Sequence, residues 1–301
     1  MESIHKNFHK IEKIAKKRRA KIGIGILRPN PEVIEHLKIG QQYADLVVVC
    51  KEPIEGFECL ALGEVPEEEY SLALINLLKE GKVEGVVRGH VKFGPFEKTF
   101  MREYGYKKLR FMGLLRDLEK REWFYINVDP FDSPGPAPEE MLLLIEQSAH
   151  YLKMFGIEPV IAMTAGDFTE DRGDNPWIDQ TIHNAEYVVK VLRDEGYNIK
   201  NYAHLIDEAI KGANLIVLGP TGSHGNFLYR ILYQVGGAWE MGGPVFVPEV
   251  YIECSRYHNK YSSHIIWAVA EANLKAEGKL DKVYDPYKDP NKKWSIYRVI
   301  K

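Results

Sequence analysis

The 301-residue chain is poor in cysteine: Cys50, Cys59 and Cys254 are its only three. None has the close paired spacing of a zinc site or disulfide framework, so a stapled fold is excluded and a reducing compartment fits. Long apolar runs are missing too. None approaches the roughly 18 residues of a membrane span, and the first residues are charged where a signal peptide is apolar, so the chain is expected in the cytoplasm without membrane contact. Nor is there an excess of one charge sign. Lys+Arg 40 against Asp+Glu 43 gives a formal net charge of −3, which supplies no general attraction to nucleic-acid phosphates and disfavours that partner. A composition of 45% hydrophobic and 28% charged residues also excludes wholesale disorder.

What is present reads as a large α/β protein with material for two lobes. From Ile4 to Lys21, apolar Ile4, Phe8, Ile11 and Ala15 recur at helical spacing among eight Lys and Arg residues. This predicts a basic amphipathic helix, whose simplest reading is a solvated face with one stripe packed on the body. Beyond it, short β-branched runs alternate with longer helical stretches, the pattern of mainly parallel sheets with helices on both faces. Strands are expected over 22–27, 45–50, 83–88, 110–115, 124–128, 159–163, 214–218 and 245–252. Helices are expected over 31–44, 67–80, 138–155, 176–195, 204–212, 226–235 and 261–277. The proline-rich segment from Asp129 to Pro138 suits neither a helix nor a central strand and marks a lobe boundary.

Two glycine-rich turns invite comparison. Gly23 and Gly25 lie within a strand pattern, with no third glycine opening a helix, so they fail as a dinucleotide fingerprint and fit close backbone packing instead. Asn214–Leu218 is different: it runs into Gly-Pro-Thr-Gly-Ser-His-Gly-Asn (219–226) and then a helix. Unpaired N–H groups and the helix dipole suit an anion at such a tip. The loop lacks the Lys and Ser/Thr of a P-loop. A tight turn with a capping Asn remains the plain alternative.

From this loop onward the chain resembles the phosphate acetyl/butyryl transferases. The order Gly225-Asn226 with a helix, Gly243-Pro244, Ser255-Arg256, then the last long helix through Ser262, Ser263, His264 and Ile265 is similar to that family's. Upstream, Pro138-Glu139, Phe155 to Met163 and Val83 to Gly89 extend the likeness over roughly residues 80 to 275. Together with the N-terminal segment and the length, these motifs resemble the methanogenesis marker protein four (MtxX) family, which is similar to phosphotransacetylases and linked by name to methyl transfer. The resemblance implies an isocitrate/isopropylmalate dehydrogenase-like fold of two lobes. Residues 1–128 completed by 259–301 would form the first, and 129–258 the second, with the anion loop and a homodimer surface.

The resemblance also implies a site. A thiol such as coenzyme A attacks an acyl phosphate, so the site must hold phosphate, activate the thiol and stabilise an oxyanion. Arg256 would clamp the phosphate, and Ser255 would donate to the oxyanion or sulfur. Gly222, Ser223, Gly225 and Asn226 would line the anion pocket, with Arg88 a second clamp. Where the family carries an aspartate as thiol base, this chain has His264; Ser262 is the alternative occupant. No tightly bound cofactor and no metal are expected, coenzyme A or another thiol being a co-substrate and the other partner a small anionic substrate. The acidic group Asp167, Glu170, Asp171, Asp174 and Asp179 has the oxygen ligands for Mg²⁺, but carboxylates also gather at helix starts without metal. The competing implication is a methyltransferase-associated subunit that keeps the fold without acyl transfer.

Overall fold

A computed structural model describes residues 4–127, 138–220 and 222–285. The expected lobe boundary, apart from Pro138, and most of the tail after Val283 lie outside them. The chain forms two compact units: one from Phe8–Gly113 and Glu240–Leu280, the other mainly from Leu114–Trp239.

The first unit begins with α1 (Phe8–Ala15), shorter than the basic segment suggests, which buries Phe8, Ile11 and Ala15. The bases that follow make exposed ion pairs, Arg18 with Glu84 and Arg19 with Asp45, as a solvated face does. Next come β1 (Ala20–Ile26), α2 (Pro31–Gly40), β2 (Ala44–Cys50), β3 (Glu58–Ala61), α3 (Glu67–Lys79), β4 (Gly85–Val87) and α4 (Phe93–Tyr104). Helix α2 opens on Pro31, with the Asn30 side chain accepting from the Val33 N–H; proline at the first position lacks only a donor that would be unsatisfied anyway.

The second unit follows in the chain. It comprises β5 (Gly113–Arg116), whose first residue belongs to the other unit, then β6 (Glu122–Asn127), α5 (Pro138–Met154), β7 (Ile161–Met163), α6 (Pro176–Asp194), β8 (Ile199–Asn201), α7 (Ile206–Gly212), β9 (Leu215–Leu218) and α8 (Gly222–Arg230). Strands β6, β9, β7 and β8 lie side by side, all parallel. Trp123, Tyr125, Ala162, Ile216 and Leu218 pack as a core between this sheet and its helices. Helix α8 starts four residues before the expected Asn226, taking Gly222–Gly225 into its first turn, and ends in a π-helical turn at Ile231–Val235.

The chain then returns to the first unit with β10 (Trp239–Pro244), β11 (Tyr251–Glu253) and α9 (Ser262–Ala276). Its strands run in the order β3-β2-β1-β4-β11-β10, parallel except for β10, which is antiparallel to β11. Residues 240–258 thus pack in this unit because β11 hydrogen-bonds beside β4. The continuous strand expected over 245–252 is broken instead, since Pro248 has no N–H for a ladder. Every residue of α9 from Ser262 to Leu274 is buried, as befits a helix apolar nearly all round. Asn273 on α9 donates to the carbonyls of Ile14 and Arg18, 3.0 Å each, anchoring the end of α1.

Candidate functional site

Because β1, β4 and β11 are parallel, their carboxyl ends share one edge, where ligands bind in open α/β sheets. Each ends in functional side chains. Arg28 follows β1, Arg88 follows β4, and Ser255-Arg256 follow β11. The Arg28 guanidinium donates to the Arg256 carbonyl oxygen, and Arg256 Nη2 donates to the Tyr257 hydroxyl at 2.6 Å. Both guanidiniums lie over the Tyr257 ring, at 5.8 and 4.8 Å from its centroid. Tyr257 is exposed. Two guanidiniums beside one exposed ring are planar donors of the kind that match phosphate or carboxylate.

Arg88 is placed differently. Its side chain is buried, with Nε 2.8 and 2.7 Å from the two Glu253 oxygens. Nη2 donates to Glu253 and to the Cys254 carbonyl, and Nη1 to the Val91 carbonyl. The Tyr251 hydroxyl donates to Glu253 at 2.6 Å. Burial opposes the Arg88 charge, but the Glu253 carboxylate more than offsets this and moves the guanidinium pKa up. Arg88 therefore gives its donors to the protein and fixes the turn that carries Ser255 and Arg256.

Beneath that turn lies a group of buried titratable residues. His264, in the first turn of α9, is fully buried, and its Nε2 is 3.1 Å from both oxygens of Glu240 on β10. The Ser255 backbone and the Gly242 N–H, the latter at 3.1 Å, also donate to Glu240. Burial penalises the Glu240 charge, yet His264 and His258 hold its pKa below the usual carboxylate value. His258 donates from Nε2 to the Lys260 carbonyl at 2.9 Å and places Nδ1 4.0 Å from Glu240. Burial pushes His258 down to about 4, with Glu240 working against it, and His90 down to about 4, with Arg28 assisting. Ser262, the alternative to His264, meets a different histidine. Its hydroxyl is 2.7 Å from Nδ1 of half-buried His36 on α2, whose pKa burial lowers.

In the second unit, Gly222 and Gly225 are buried in the first turn of α8 while Ser223 is exposed. The backbone turns into α8 at Gly219 (φ +72°), whose N–H donates to Thr164 Oγ1 at 2.8 Å. Asn226 lies one turn inside the helix rather than at its cap, its carboxamide oxygen accepting from Arg230 Nε at 3.0 Å. Gly222, Ser223 and Gly225 thus keep their place at a helix tip. The acidic group is spread over the segment before α6 and its first turn: Asp167 pairs with His204 at 3.2 Å and Asp179 accepts from the Gly173 N–H at 2.9 Å.

The chain is 30% identical over 269 residues to a Methanosarcina barkeri protein named "Putative methyltransferase mtx subunit X", covering 87% of this chain and 97% of that one. It belongs to the MtxX family. A Methanosarcina mazei protein of the same name is 28% identical over 273 residues, covering 89% of this chain and 96% of its own. No family model matches this MtxX-family chain. Among solved structures, a branched-chain phosphotransacylase from Enterococcus faecalis superposes with TM-score 0.59 at 17% identity, covering 85% of this chain and 99% of that one. A phosphotransacetylase from Staphylococcus aureus does so with TM-score 0.52 at 15% identity, covering 88% and 99%. These two share the MtxX-family fold, α/β with mainly parallel sheets.

Four residues of this MtxX-family site escaped the sequence: Arg28, His36, Glu240 and His258. The first had a readable signal, a Leu-Arg-Pro just past a β-branched strand. The others meet only through sheet pairing and the packing of α9, which no local spacing encodes.

Proposed function

We propose that the chain is a transferase of the phosphate acyltransferase type, moving an acyl group between phosphate and a thiol such as coenzyme A. The observation that carries this reading is the Arg28–Arg256 pair around Tyr257 at the carboxyl ends of β1 and β11. Arg256, with Ser255 beside it, holds the phosphate of an acyl phosphate, while the N–H groups at the tip of α8, with Ser223, suit a further anionic group. The thiolate sulfur attacks the acyl carbonyl carbon, forming a C–S bond. The C–O bond to phosphate breaks, and phosphate leaves with its electron pair. The half-buried His36–Ser262 pair takes the thiol proton; fully buried His264 orients Glu240 and, through it, the Ser255 backbone.

The test mixes the purified protein with acetyl or butyryl phosphate and coenzyme A and follows thioester formation. Thioester is expected, with Arg256→Ala lowering kcat/KM roughly 100-fold, about 2.7 kcal/mol. No thioester from any short acyl phosphate, together with no thermal protection by phosphate or coenzyme A, refutes the reading. That outcome favours a subunit of a methyl-transfer system, the role carried in the names of the Methanosarcina relatives.

The active form is proposed to be a homodimer. Phe227, Ile231 and Val235 stand 71%, 54% and 82% exposed at four-residue intervals along α8 and its π turn, an apolar stripe of the kind that marks an interface. Sedimentation should give a dimer, and Phe227→Asp with Ile231→Asp a monomer; a wild-type monomer at assay concentrations would refute the proposal.

A further inference from the structure

We propose that Glu240, His258 and His264 bind a divalent first-row transition metal ion of the zinc(II) or iron(II) type. One candidate ligand atom from each lies within 4.8 Å of the others, and all three residues are buried. In a tetrahedral site with bonds of about 2.0–2.1 Å, ligand atoms stand roughly 3.3 Å apart. The observed separations of 3.1 Å for His264–Glu240 and 4.0 Å for His258–Glu240 reach that arrangement through small side-chain rotations.

The surroundings add a second, independent observation. His258 gives its Nε2–H to the Lys260 carbonyl, which turns Nδ1 toward the Glu240 carboxylate, 4.0 Å away. A ligating imidazole typically donates its other N–H to a carbonyl in this way, which fixes tautomer and orientation. On His264, Nδ1 lies 3.4 Å from the Ser263 hydroxyl. The Gly242 N–H and the Ser255 backbone hold the carboxylate. Tyr261 closes the shell, edge-on to the rings of both histidines at 5.6 Å. Two imidazoles with one carboxylate suit zinc and non-haem iron, whereas Mg²⁺ and Ca²⁺ take mainly oxygen.

This inference stands apart from acyl transfer, because metal retention is measured without substrate. The full chain is stripped with a chelator and titrated with Zn²⁺, with Fe²⁺ under anaerobic conditions, and with Mg²⁺ and Ca²⁺, and bound metal is counted by mass spectrometry. About one Zn²⁺ or Fe²⁺ per chain is expected to remain after dialysis, with Mg²⁺ and Ca²⁺ lost. Glu240→Gln and His258→Gln should each weaken binding more than the roughly 10- to 100-fold that an outer-shell change costs, and Asp171→Asn should leave it unchanged. Should circular dichroism show that those two variants do not fold, Ser263→Ala is decisive, with roughly tenfold weaker binding expected. The proposal is overturned if the wild-type chain retains no transition metal. It is equally overturned if binding is undiminished in folded Glu240→Gln and His258→Gln, or in Ser263→Ala where those two do not fold.

Discussion

Replacing Arg88 with alanine should lower the unfolding free energy by about 3–5 kcal/mol, because it strands the Glu253 carboxylate in the interior. The guanidinium meets Glu253 through Nε and Nη2 and two carbonyls besides, and among the described residues the Tyr251 hydroxyl is what would remain to share the Glu253 charge. A urea titration reads the loss directly as a lower midpoint at unchanged slope. The double variant Arg88→Met, Glu253→Leu should recover most of it, since an apolar pair often replaces a buried ion pair at little cost. A stable Arg88→Ala protein that has lost phosphate binding would instead make Arg88 a clamp.

The next largest effect is expected at Gly89. Its φ of +66° lies in the left-handed region, and an added Cβ would overlap the carbonyl of Gly25 on β1. The neighbouring His90 N–H donates to that same carbonyl at 2.8 Å, so the backbones have little room to part. Gly89→Ala should cost about 1–2 kcal/mol for the left-handed conformation and about 1–3 kcal/mol more for overpacking. Gly81→Ala provides the control: φ is similar at +69° but nothing lies within 4 Å of the added atom, so only the conformational part should be seen. Equal losses in the two variants would remove the close approach of β1 and the β4 turn as the cause.

Much of this fold was legible because its strands are short β-branched runs and its helices begin on prolines. Pro31, Pro138 and Pro176 all open helices, since a first turn tolerates the missing N–H. The same residue hid α4, where Gly94 and Pro95 inside the first turn read as breakers. Strand β10, Trp-Glu-Met-Gly-Gly-Pro, shows no alternation and looks like a loop; its antiparallel pairing with β11 at Gly243 and Pro244 is not encoded in any local period. Strand β3 is four residues long and β8 three, too short for a period of two to stand out.

The site was legible at the same scale. Ser255-Arg256 and the glycine-rich tip of α8 sit at element ends, and element ends are what sequence punctuation marks best. Arg88 illustrates the converse: a strand-end arginine is visible in sequence, but its partner Glu253 lies far along the chain and meets it only because β11 joins β4. Likewise Glu240 becomes a neighbour of His264 once β10 folds back along β11 and α9 is buried against the sheet.

The interruption of the first unit by Leu114–Trp239, the main part of the second, sets an order of events during synthesis. When residue 113 leaves the ribosome, β4 has no partner on its far side, and the place of α9 among α1, α2 and β1 is vacant. The intervening half carries its own contiguous parallel strands and can consolidate first, although it emerges later. The early half is left as a nascent sheet with an open edge, the kind that invites wrong pairing, until β11 and α9 are translated. Chaperone dependence in this protein should therefore concentrate on its earliest-made residues.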